Sequence, residues 1–137
     1  MAGFTNYLED KVINHLFGSV TFTRPGTYYC GLLTVAPTDS ATGTEVSGGA
    51  YARQSIAWVI TGSGVSQAAS SADLTWPAAT TDWGTVIVAG VYDALTSGNL
   101  VAFETLTKSD FTTANPKIIN SGDIFKIASG SLKIQLD

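Results

Sequence analysis

The sequence predicts an all-β fold, an antiparallel β-sandwich or jelly roll of seven to eight strands with one N-terminal α-helix, and three observations predict it. Apolar residues alternate with period two from residue 28 to the end. A helical period occurs only in residues 4–17. Turn-forming Gly, Pro, Asp and Ser separate most of the apolar runs, and no alternation of helix and strand suggests a doubly wound sheet.

In residues 4–17, Phe4, Leu8, Val12 and Leu16 recur every fourth position, with Ile13 and Phe17 widening the stripe. Thr5 or Asn6 can cap the start, Asn6 and Glu9 approximate a capping box, and Gly18 supplies the stop. So short a helix is marginal alone and must dock on something. Strands follow at 28–35, 53–60, 72–76, 85–92, 100–106, 117–120, 124–128 and 131–136, with long polar loops at 37–50 and 62–71. The run 85–92 is nearly continuous apolar, as in a strand covered on both faces. In the last strand Leu132, Ile134 and Leu136 point inward and Ser131, Lys133 and Gln135 outward. With 137 residues, no internal repeat and no shift to linker-like composition, residues 1–137 read as one domain.

Charged residues make up only 13% of the chain, about half the share in an ordinary soluble domain, against 45% hydrophobic residues. A surface so poor in charge favours assembly as the working state, and a homo-oligomer is expected. The net charge is −4 and the seven cationic residues are scattered, so the clustered basic footprint of a nucleic-acid binder is missing from the sequence. The longest apolar run, residues 86–92, falls short of a membrane span, and the acidic N-terminus does not read as a secretory signal. Neither nucleic acid nor membrane is an expected partner.

Little points to chemistry. Cys30 is the only cysteine and reads as a small core residue. His15 is the only histidine, on the helix beside Leu16 with no orienting carboxylate near it in sequence, and reads as a partly buried or interface residue. One His and one Cys cannot close a tetrahedral zinc site. Asp39, Asp82, Asp93, Asp110 and Asp123 lie in turns, where Asp bonds its own backbone far more often than it catalyses. Asp39 and Glu45 lack the regular ligand spacing of a calcium loop. The segment 62–64 lacks the Lys-Ser/Thr of a phosphate loop and reads as a hairpin tip. The chain is therefore expected to be a structural or binding protein and not an enzyme, with no cofactor, no metal and no catalytic residue. Trp58 and Trp76 fit strand cores, whereas Trp83, in the loop 78–84, is the preferred exposed aromatic anchor.

Along nearly its whole length the chain resembles a family of small tailed-bacteriophage proteins. The resemblance includes the opening helix from Gly3 to Glu9, the strand Tyr29-Cys30-Gly31-Leu32-Leu33 followed by Ala36-Pro37-Thr38-Asp39, and the block from Gly43 to Gln54. It continues through Trp76-Pro77-Ala78-Ala79, Asp82-Trp83-Gly84 and Ser121-Gly122-Asp123, and residues 45–54 are its most specific part. Proteins of this appearance are labelled tail-fibre proteins, and similar small β-rich proteins serve as capsid cement or decoration proteins. The resemblance implies a structural component of the virion that contacts other virion proteins. Because no repeat or fibrous shaft is visible, a decoration protein bound to the major capsid protein is preferred. The alternative is a tail-fibre or baseplate accessory protein that binds a host-surface glycan or receptor.

The interface candidates follow. Phe4, Leu8, Val12 and Leu16 form the helical stripe that would clasp either the chain's own sheet or a neighbour. Glu45 and Arg53 bracket the turn at 47–49, which can bring their opposite charges together, either fixing this loop within the chain or bridging subunits. Trp83 completes the set.

Overall fold

A computed structural model describes residues 3–64, 66–110 and 112–135. It has the expected class, antiparallel β throughout with one N-terminal helix. The elements in chain order are β1 (Gly3–Phe4), α1 (Asn6–Phe17), β2 (Tyr28–Val35), β3 (Thr44–Glu45), β4 (Gln54–Ile56), β5 (Trp58–Thr61) and β6 (Gln67–Ser70). They continue with β7 (Leu74–Thr75), β8 (Gly84–Val86), β9 (Val88–Tyr92), β10 (Leu100–Thr105), β11 (Lys117–Ile119), β12 (Lys126–Ile127) and β13 (Lys133–Gln135).

The main sheet runs β1-β10-β9-β2, and the free edge of β2 is shared end to end by β4 and β3. Three small ladders, β11-β8, β12-β7 and β13-β6-β5, pack on the same core. The pleat decides which residues meet there. Cys30, Leu32, Ala89, Val91 and Ala102 share one face of the main sheet and bury against Leu74, Trp76, Ile119, Ile127 and Leu132 from the ladders. The sandwich is thus one broad sheet opposed by a patchwork.

More strands are present than the seven to eight expected: two apolar runs change partner midway, and β1, β3 and β6 lie where no strand was expected, β3 within the loop 37–50. In residues 53–60, β4 pairs with β2 and then, past Ala57, β5 pairs with β6. In residues 85–92, β8 pairs with β11 and then, past Ile87, β9 pairs with β2 and β10. Such switches make the corners of a sandwich, and alternation along the chain cannot reveal them. β6 was hidden for another reason: Gln-Ala-Ala-Ser lacks β-branched and aromatic residues, so the segment reads as loop. β5 and β6 do form a hairpin around the Gly-rich tip. The inward position expected for Leu136 lies outside the described residues.

The helix begins two residues later than expected. Phe4 is a strand residue paired with Ala102, and the Thr5 hydroxyl donates to the carbonyl oxygens of Leu100 (2.7 Å) and Val101 (3.3 Å) instead of capping the helix. The sheet edge outcompetes the helix because these bonds are buried, where an unmade bond is costly.

Candidate functional site

The block 45–54 closes a gap in the main sheet. On the edge away from β9, β3 and β4 leave the middle of β2 without a partner strand, and the residues between them loop out and return to fill it. Leu32 there keeps both backbone bonds: the Val46 N–H donates to its carbonyl at 2.9 Å, and its N–H donates to the Tyr51 hydroxyl oxygen at 2.9 Å. The Tyr51 hydroxyl in turn donates to Glu45 Oε1 at 2.7 Å. Burial and the bond to Glu45 raise the Tyr51 pKa far above its ordinary value, so the hydroxyl stays protonated.

Arg53 completes this cluster. Its Nε and Nη2 reach Glu45 Oε1 and Oε2 at 2.8 Å each, a bidentate pair, while Nη1 donates to the carbonyl oxygens of Ala94 (2.8 Å) and Ser97 (2.7 Å). The guanidinium lies 3.5 Å from the centre of the Tyr92 ring. The Arg53 side chain is only 7% exposed and that of Glu45 24%. Gly31, paired with Gly90 across β2 and β9, makes room for the cluster, while Gly90 makes room for Leu33, Leu100 and the Tyr92 ring. A Cβ on Gly31 would lie 2.7 Å from Glu45 Oε1 and 2.8 Å from Tyr92 Cε2. All four guanidinium hydrogen bonds stay within the chain itself, so the pair acts as an internal clamp joining β3, the loop 46–53 and the turn 93–98.

Trp83 does not fit its expected role. It is 6% exposed, its Nε1 donates to the Gly49 carbonyl at 2.9 Å, and its ring meets Tyr51 edge-on at 5.4 Å. It is the peg that pins the returning loop. Gly49 must be glycine there, since its φ is +58° and a Cβ would strike Thr81 Oγ1 and Trp83 Nε1. An indole N–H needs a buried acceptor, and the carbonyl that supplies it comes from 34 residues away in sequence, beyond the reach of local pattern.

The helical stripe divides in two. Tyr7 and Leu8, with Phe4 before them, pack on the core, and Val12 is half-buried. Beyond Val12 the helix runs off the body. Ile13, Leu16 and Phe17, spaced i, i+3 and i+4 in the last turns of the helix, are 57%, 62% and 83% exposed, and Val20, past the Gly18 cap, is 58% exposed. Leu16 therefore does not share the docked surface of Phe4 and Leu8. His15 is exposed on the same overhang, its Nδ1 accepting the Phe22 N–H at 3.2 Å, which folds the segment after the helix back along it. Three of the five turn aspartates bond nearby backbone as expected: Asp93 accepts from Asn99, Asp110 from Thr112 and Thr113, and Asp123 from Asn120, whereas Asp82 reaches across to Ser121, 39 positions away.

Two surfaces of different character result, a saturated internal clamp and an unsaturated apolar overhang. Only the second has anything left to offer a partner. A family model described as podophage GP4 fiber I protein gp80 matches residues 3–135. No curated protein matches the chain.

Proposed function

The chain belongs to the podophage GP4 fiber I protein gp80 family, and from that premise we propose that it is a non-enzymatic building block of a tail fibre, joined to its neighbours by the overhanging end of α1. As a phage fibre protein it is located in the virion and associates with other virion proteins. The observation that supports the joint is the stripe Ile13, Leu16 and Phe17, with Val20 just past the helix cap: large apolar side chains left mostly in water at one end of a helix whose other end is docked. Burying a side chain of this size fully contributes about 1.5–3 kcal/mol, so a contact that covers the stripe has ample driving force.

The fibre reading takes precedence over shell decoration because the family is described by its fibre role, and a single β-module can be one part of a fibre without itself carrying a shaft. The neighbour on the stripe is, in this proposal, a second copy of the chain, in keeping with a charged fraction of only 13%. The double variant Leu16→Ser, Phe17→Ser tests it. Both side chains are exposed, so the thermal midpoint should hold while the self-associated mass measured by light scattering falls to that of a monomer and incorporation into particles is lost. A wild-type monomer whose incorporation still depends on these residues would replace the second copy with another tail protein. Undiminished incorporation of the variant would overturn the joint altogether.

A further inference from the structure

We propose that a cavity lined by the end of β10, the loop after it, β11 and β12 binds an acidic saccharide, a sugar bearing a carboxylate or a phosphate. The cavity measures about 380 Å³, within the range of small-ligand sites. Its floor is apolar: Ala89, Ile127 and Leu132 are buried, and the half-buried Phe125 ring leans on Trp76 with centroids 5.4 Å apart. Around that floor stand Lys108, Lys117 and Lys126, three of the seven cationic residues of a chain whose net charge is −4. They come from three separate segments, the loop after β10, β11 and β12, so their convergence is a product of the fold that the scattered sequence positions conceal.

The charge balance is favourable to an anion. Glu104 also lines the cavity, and Lys126 holds Asp73 at 3.3 Å in an exposed pair. Lys108 and Lys117 are in no ion pair among the described residues. Three lysines against Glu104 and Asp73 leave one positive charge in excess at the cavity. The loop that carries Lys108 is already shaped: its N–H donates to the Thr113 carbonyl at 2.9 Å, Asn115 N–H donates to the Leu106 carbonyl at 2.7 Å, and Asp110 accepts from Thr112 and Thr113. A site that need not reorganise loses little affinity to ordering.

The mixture of groups selects the ligand class. A bare anion would have no use for an apolar floor with an aromatic ring, and an apolar ligand would have no use for lysines. A sugar ring offers a C–H face to Phe125, hydroxyls to Thr107, Ser109 and Asn115, and an acidic substituent to Lys108 and Lys117. The site deepens the fibre reading, since a fibre module with a saccharide site is suited to touching a cell surface, and that significance rests on the proposed function; the binding itself does not.

The full chain is titrated by heteronuclear NMR with glucuronic acid, glucose 6-phosphate, glucose and inorganic phosphate at one ionic strength. Saturable amide shifts confined to residues around Lys108, Lys117, Phe125 and Leu132 are expected with at least one acidic sugar. The two acidic probes distinguish carboxylate from phosphate. Glucose should bind roughly tenfold more weakly or worse, as should the acidic sugar to Lys108→Gln and to Lys117→Gln, whose exposed side chains leave folding intact. Lack of saturable shifts with both acidic sugars, equal binding of glucose, equal binding of inorganic phosphate, or wild-type affinity in both Gln variants would each overturn the proposal. None of these results touches the helix joint, because no residue of α1 lines the cavity, and loss of the joint leaves the titration readable on the monomer.

Discussion

Replacing Arg53 by Ala should be among the most costly single changes in the chain. The substitution removes both arms of the bidentate pair with Glu45, the two bonds to the turn carbonyls of Ala94 and Ser97, and the guanidinium stacked on Tyr92. What remains is a carboxylate with only the Tyr51 hydroxyl to answer it. Breaking a buried ion pair from one side costs about 3–5 kcal/mol, against about 0–1 kcal/mol for an exposed pair. Glu45 is 24% exposed, so water reaches it in part and the low end, about 3 kcal/mol, applies. At this chain length that corresponds to a fall in Tm of roughly 10–15 °C. Urea unfolding measures it directly, with the slope of the transition unchanged if only the native state is affected. Adding Glu45→Gln to Arg53→Ala should recover stability, since no unpaired charge is then left, giving a coupling of about 1–3 kcal/mol in the double-mutant cycle. A cost below about 1 kcal/mol, or no coupling, would refute the clamp and return the pair to the status of a surface contact.

Gly31→Ala should destabilise by about 1–3 kcal/mol in the same assay, because the new methyl must displace Glu45 or the Tyr92 ring from the clamp. The Cys30 thiol is buried and its pKa is pushed up to about 12, first by burial and then by Glu45, so a thiol reagent at pH 8 should label the chain only as fast as it unfolds. Labelling of the native chain at the rate of a free thiol would contradict the core placement. The Asp110 carboxyl, held by Thr113 and Thr112, sits at about 2, below its usual value. Its folded pKa is depressed, so its contribution to loop order is full above the unfolded value near 3.9 and is lost as pH falls through about 2. The carboxyl carbon shift in NMR should therefore titrate with a midpoint near 2, and a midpoint near 4 would show that the bonds to Thr112 and Thr113 are not held.

How far the sequence could be read depended on the distance over which each signal acts. The helix, β2, the final strands and the turns at Asp93, Asp110 and Asp123 were legible because their signals are local: a period, a breaker, an Asp bonding a backbone group close to it in the chain. The Glu45–Arg53 approach was legible for the same reason, since only a glycine turn separates them. Its fourfold partnership was not, because the carbonyls of Ala94 and Ser97 lie more than forty positions away. Trp83 was misplaced on that account too, as Gly49 is its distant acceptor. The division of the helical stripe at Val12 also lies beyond the sequence, because an apolar period says that a face wants cover and not where the body beneath it ends. The lysine-lined cavity was hidden most completely, because residues 108, 117 and 126 read as isolated charges until β7, β11 and β12 are paired.

Where the chain sits in the particle is tested most directly by cryo-electron microscopy of the virion, with the Leu16→Ser, Phe17→Ser variant beside the wild type. The predicted result is density for this fold on the tail, with the end of α1 buried against a neighbouring chain, and loss of that density in the variant. Density on the capsid shell at the stoichiometry of the shell protein, or density on the tail with residues 13–20 facing solvent, would contradict it.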